Sequence, residues 1–220
     1  MPNHITNKVS APAHVLTSLI NEDGRIDFGK LIKFEGQFSW DWICGGAETA
    51  AEAAINFPLS NHPLVAGMQR HSRETSTVTK LSDDSFEQFV QMLRNHRKTG
   101  FMHSMDFARQ AWGTKWNAYS QKIDVEGCSL QFETAWNAPV PVFKALSALH
   151  PTEEITVVFA DEDIGSNCGT LKLKAGELVE QDCAGPWGEM SELDQQKWRA
   201  FAIEVTGRSD DDDDDDDDKE

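Results

Sequence analysis

Asp161, Glu162 and Asp163 follow an almost continuous apolar run, Ile155 to Ala160. Three acids in a row could hold a Mg²⁺ or Mn²⁺ ion through carboxylate oxygens, with the amide oxygen of Asn167 close by in sequence. Neighbouring side chains on an extended chain point to opposite faces, so only Asp161 and Asp163 could share one ion. The competing reading is a solvated acidic turn before Gly165, with Asp161 capping the turn or pairing with Lys115. A second constellation is aromatic. Trp112, Trp116 and Trp136, with Asn117, Asn137 and Lys115, could form one wall of a binding site. The indoles could stack on a base or another flat ligand, the two amides could supply paired donors and acceptors, and Lys115 could meet a phosphate. Tryptophans near strand ends also serve as core corners, bonding their N–H groups to nearby carbonyls.

Other chemistries lack their residues. The seven histidines include no helical zinc pair, and no His-Glu-x-x-His occurs. Gly-x-Ser-x-Gly is absent. Gly45-Gly46 lacks the lysine and spacing of a phosphate loop. Cys168 lies in Ser166-Asn167-Cys168-Gly169, with nothing to mark a base for it. Cys44, Cys128, Cys168 and Cys183 include no Cys-x-x-Cys pair. With no signal pattern at the N-terminus and no long apolar run, the expectation is a cytoplasmic protein with reduced thiols.

The 220 residues carry a formal net charge of −17. Nine aspartates, Asp210 to Asp218, and Glu220 are offset only by Lys219, so this tail carries −9 and residues 1–209 carry −8. An acidic body repels phosphate backbones and argues against direct nucleic-acid binding. The aspartate run has no apolar surface to bury and is expected to be a disordered tail over 209–220. It is either a solubilising tail or an arm for a basic partner.

The elements that must position these residues follow from periodicity. His4 to Ser10 reads as a strand and Ala13 to Ile20 as a helix. Ile26 to Ile32 is mixed, with Phe28 and Leu31 expected to be buried. Gly46 to Ile55 is an alanine-rich helix ending before Pro58. Residues 58–80 are poorly patterned, with strand-forming residues at Ser76 to Lys80. Ser82 caps a helix whose stripe is Phe86, Phe89, Val90 and Leu93, with Gly100 as its stop. A short helix is expected over Ser104 to Gln110. Leu130, Phe132 and Thr134 alternate as on a half-buried strand. Pro139 and Pro141 start a helix with Val142, Ala145, Leu146 and Leu149 on one face, and Ile155 to Ala160 is a central strand. That β-α-β unit is expected to be right-handed. Gly169 to Lys174 and Glu177 to Gln181 form a hairpin around Ala175-Gly176. Ser191 opens a final helix bearing Trp198, Phe201, Ala202 and Val205. The fold class is α+β: one domain over 1–208 with an antiparallel-rich sheet, helices on one face and a helical insertion at about 46–110.

Several blocks resemble the YubB-like proteins of phages and conjugative plasmids. They are Pro2-Asn3 through Asn7, Phe28-Gly29-Lys30-Leu31, Trp112 to Asn117, Phe132 to Pro139, and Ala160 to Gly165. Family members often carry Trp-Cys after Pro-Asn, where this chain has His4-Ile5. The resemblance covers most of residues 2–175 and implies a ferredoxin-like domain of undefined activity. The leading expectation is therefore a non-enzymatic accessory protein of a phage or plasmid. It would bind a host or phage protein, such as a basic or nucleic-acid-binding defence protein, with an acidic DNA-mimicking surface as a variant. The alternatives are a small-molecule or nucleotide binder using the tryptophan block, and a metal-dependent enzyme at Asp161 and Asp163. Met92, Met102 and Met105 could serve either as an adaptable interface or as core.

Overall fold

The computed structural model describes residues 3–55, 63–75 and 78–208. They form two compact units: 3–33 with 108–208, and the described residues between 34 and 107. The expected disordered tail over 209–220 lies outside the described residues.

The larger unit is built on a six-stranded sheet. Its strands are β1 (His4–Ser10), β2 (Tyr119–Asp124), β3 (Ser129–Ala135), β4 (Glu154–Asp161), β5 (Gly169–Lys174) and β6 (Glu177–Cys183). Their order is β2-β3-β1-β4-β5-β6, and every neighbouring pair is antiparallel. β3 and β4 both flank β1, so they run parallel to each other and are joined by α6 (Val140–Leu149). This is the split β-α-β arrangement of a ferredoxin-like α+β domain. β2 was not anticipated. It exposes most of its residues, so it lacks the alternating signal that marks β3.

The sheet has two covered faces. Ile5, Val9, Leu130, Phe132, Ile155, Val157, Leu171 and Leu173 pack with Val15 and Leu16 of α1 (Ala13–Thr17) and Val142, Phe143 and Leu146 of α6. The opposite face, at Val158 and Ala160, is covered by Trp198, Ala202 and Val205 of α7 (Glu192–Thr206). Helices therefore occupy one face as expected, and α7 adds a layer on the other. Gly176 and Ala175 both adopt positive φ between β5 and β6, as a tight two-residue hairpin turn requires.

Several element boundaries differ from the sequence reading. α1 stops at Thr17, because Ile20 instead bridges to Ile26. Phe28–Lys30 is a 3₁₀ turn, capped by the Asp27 side chain accepting from Gly29 N. On α6, Leu149 is exposed and Phe143 and Ser147 join the buried face.

The smaller unit contains α2 (Gly45–Ile55), α3 (Pro63–Thr75), α4 (Asp83–Thr99) and the start of α5 (Ser104–Ala111). α3 falls in the poorly patterned stretch. The expected strand at Ser76 to Lys80 is instead a 3₁₀ turn at Val78–Lys80, and Ser76 and Thr77 lie outside the described residues. Ser82 caps α4 through Ser85 N, and Gly100 closes it in the left-handed region. The stripe expected on α4 holds in part: Phe89 and Leu93 pack against the core, but Phe86 is 44% exposed, and the fully buried positions are Ser85, Gln88, Met92 and Asn95. Polar residues win those positions because they bond to backbone. Gln88 Oε1 accepts from Cys44 N, and Asn95 binds Gln37 N and O and the Met102 carbonyl. Met92 and Met102 are buried, so they are core.

Candidate functional site

The two tryptophan segments meet at one corner of the larger unit. After α5, the chain turns through Gly113 at positive φ and presents Thr114, Lys115 and Trp116. Thr114 is buried, and its hydroxyl donates to the Ala135 carbonyl at 2.9 Å and accepts from Ala135 N at 3.1 Å. It thereby completes the outer edge of β3 beyond the point where β2 begins. Lys115-Trp116 is thus fixed beside Trp136.

Trp136 leaves β3 with φ +72, in the left-handed region. For a bulky residue that conformation costs about 1–2 kcal/mol. The surroundings hold it there. Trp136 N donates to Asn3 O at 2.9 Å, and its carbonyl accepts from Asn167 Nδ2 at 3.1 Å. Beneath this turn, Asn7 Nδ2 donates to Thr134 Oγ1, which donates to Asn137 O. The result turns the Trp136 ring outward, 40% exposed, beside Trp116 at 36%. Lys115 Nζ lies 4.6 Å from the Trp116 ring centre and 5.1 Å from that of Trp136. Arg109, from the last turn of α5, stacks on Trp136 at 5.5 Å.

The remaining members of the expected aromatic site serve the fold. The Trp112 indole donates to Ile32 O at 2.8 Å and packs edge-on against Phe28. Asn117 accepts from Phe28 N and donates to Asp27 Oδ1, which fixes the 3₁₀ turn. Asn137 is exposed and contributes its carbonyl to Thr134. Of the six expected residues, Lys115, Trp116 and Trp136 converge on one surface.

The acidic constellation borders the same corner. Asp161 is 4% exposed. Its Oδ1 accepts from Asn3 Nδ2 and Asp163 N, and its Oδ2 from Asn167 Nδ2. Burial pushes its pKa up, against those three hydrogen bonds. The carboxylate thus holds the ends of three segments together, and Asp163 turns outward to accept from Ser166 Oγ. Among the described residues, no group of three or more His, Cys, Asp or Glu residues is placed to hold a metal ion. Gly165 sits at φ +95 where a Cβ would strike the Trp187 ring, which seats this loop against the α7 side of the sheet.

Two participants escaped the sequence reading. The Tyr119 hydroxyl lies 2.7 Å from His4 Nδ1 and 3.2 Å from Thr134 O, and its ring meets Trp116 edge-on. Burial, then Glu133 and Glu162, push the phenol up to about 12. Arg109 carries no sequence signal, because only the turn after α5 brings it over Trp136.

A solved structure, a protein api92 from Yersinia pseudotuberculosis, is similar at 9% identity and a TM-score of 0.36, over 84% of this chain and 99% of that one. No curated protein matches. Among the described residues, no helix is long and apolar enough to cross a membrane. Residues 115–198, which include Lys115, Trp116, Trp136, Asp161 and Asn167, match the family model of the ferredoxin-like domain in Api92-like protein.

Proposed function

We propose that this chain is a non-enzymatic interaction protein whose binding surface is the corner formed by Arg109, Lys115, Trp116 and Trp136. The observation that carries the reading is the outward indole of Trp136 on a left-handed backbone. Backbone strain of this kind persists where surrounding contacts over-determine it, and such positions cluster at binding and switch sites. Exposed tryptophan and arginine side by side are also the residue types that anchor protein interfaces. The adjoining acids support the surface structurally, since the Asp161 oxygens are engaged by Asn3, Asp163 and Asn167. On this reading, which the YubB-like resemblance supports, the protein works in the cytoplasm of a cell carrying a phage or conjugative plasmid and acts on a protein of the host or of the element.

The test is a pull-down from bacterial lysate at moderate salt with the wild-type chain, Trp116→Ala, Trp136→Gly, and a chain ending at Arg208. A stoichiometric protein held by the wild type and by the shortened chain, and lost with both tryptophan variants, supports the reading. A partner indifferent to both tryptophans places the interface elsewhere and overturns it.

A further inference from the structure

We propose that Trp116 and Trp136 form a cation cage for a lysine or arginine side chain of a basic protein partner, and that Lys115 occupies this cage from within the chain. The inference rests on the corner being the binding surface and names the chemistry it takes.

The cage is already shown to accept an ammonium. Lys115 Nζ sits within 4.6 and 5.1 Å of two indole centres, inside the range over which a ring quadrupole attracts a cation. Among the described residues, no carboxylate is in salt-bridge contact with this ammonium. Lys115 can therefore swing into water on its four-carbon stem without breaking an ion pair. An incoming ammonium then takes its place between the rings, while the Lys115 charge moves out into water.

Charge complementarity selects the partner. Residues 1–209 carry −8, since the chain total of −17 includes −9 from the last eleven residues. The corner itself borders acids. Glu133 approaches His4 at 3.9 Å, and Glu133 and Glu162 both act on the Tyr119 phenol that packs against Trp116. The acidic body draws a basic segment at long range and repels a phosphate, while Arg109 and Lys115 are the corner's own cations. Cages of aromatic faces are the recurring way in which proteins bind alkylammonium groups.

The two ligand chemistries predict opposite signs for one substitution. If Lys115 competes with the ligand, Lys115→Ala frees the space between the two indoles, leaving Arg109 on Trp136, and tightens binding of a cation by roughly 2- to 5-fold, the worth of one exposed cation–π contact. If Lys115 grips an anion, the same substitution weakens binding. The experiment titrates the full chain with a capped Lys-rich peptide, with tetramethylammonium chloride and with AMP. It follows the indole N–H resonances of Trp116 and Trp136, which are blind to peptide held on the aspartate tail. Peptide shifts that strengthen in Lys115→Ala and vanish in Trp116→Ala are the expected result. Peptide binding that weakens in Lys115→Ala, or that is absent in Lys115→Ala, overturns the cage. A response to tetramethylammonium without one to the peptide overturns the assignment to a protein cation. AMP shifts lost in Lys115→Ala also overturn the cage, yet leave the corner as the binding surface. Silence of both indoles toward all three probes overturns the cage, and the tryptophan-dependent pull-down decides the surface separately.

Discussion

Thr114 and Ala135 exchange two hydrogen bonds through one side chain, the hydroxyl donating to the carbonyl at 2.9 Å and accepting from the amide at 3.1 Å. Each residue immediately precedes a functional segment, Lys115-Trp116 in one case and Trp136 in the other. One buried hydroxyl thus sets the spacing between two indoles that lie twenty positions apart in sequence.

Thr114→Val keeps the shape and removes both bonds. It leaves the amide and carbonyl of Ala135 without that partner in a buried place, at a cost of about 1–3 kcal/mol. Chemical denaturation is expected to show a lower midpoint with an unchanged slope. The indole N–H resonances of Trp116 and Trp136 are expected to shift or broaden, while that of Trp198, buried between α7 and the sheet, stays put. An unperturbed indole pair would mean that the hydroxyl does not set the corner.

Trp136→Gly separates strain from binding. Glycine adopts φ +72 freely, so relief of about 1–2 kcal/mol offsets its greater unfolded-state entropy of about 0.5–1 kcal/mol. The thermal midpoint is expected to hold or rise while partner binding is lost. Asn167→Ala removes the amide that spans Trp136 O and Asp161 Oδ2, so stability is expected to fall by about 1–2 kcal/mol. A Trp136→Gly protein that melts well below the wild type would show that the ring is packing and not display.

Asp161 gives the corner a pH signature. Its folded pKa is raised above the ordinary 3.8 by burial, so between these two values the folded chain binds more protons than the unfolded one. The contribution of this group to stability is therefore greatest below pH 3.8 and is lost as pH rises through the raised value. Asp161→Asn removes that slope. It also places an amide against Asn167 Nδ2, costing about 1–3 kcal/mol. Denaturation midpoints measured from pH 3.5 to 7 in both proteins check this. The wild-type-minus-variant difference is expected to shrink as pH rises, and a difference that grows would refute the burial account.

The two faces of α4 show what the sequence made legible and what it did not. Alternation identified β3 because Leu130, Phe132 and Thr134 all face a core, and the capping residues Ser82 and Gly100 marked the ends of α4 correctly. Apolar spacing found only the Phe89 and Leu93 edge of that helix's packed face, because Gln88 and Asn95 are buried by backbone hydrogen bonds that hydrophobicity does not register. The corner was half legible for the same reason. Tryptophan, lysine and acid could be read as chemistry, but whether Trp112 or Trp116 faces water depends on Thr114 and on a positive φ at Trp136. Asn95→Ala strips partners from Gln37 and Met102 and is expected to cost about 2–4 kcal/mol, while Phe86→Ala costs under about 1 kcal/mol. Urea denaturation of the two variants decides between the polar and the apolar face.

The thiols sort by environment. Cys44 immediately precedes α2, and its pKa is lowered by the Ser85 hydroxyl and then by the Ala47 N–H. Burial pushes Cys168 up to about 11 and raises Cys183 as well. Cys168 and Cys183 sit on neighbouring strand ends but pack into cores on opposite faces of the sheet, so their sulfurs point apart and a bridge between them is not expected. Reaction follows the thiolate and access to it. Iodoacetamide at pH 7.5 is expected to modify Cys44 and the exposed Cys128 first, Cys183 slowly, and Cys168 only as the chain opens. Peptide mass mapping of a time course reads that order. Labelling of Cys168 as early as Cys128 would show that the α7 layer detaches from the sheet far more readily than the packing of Trp198, Ala202 and Val205 allows.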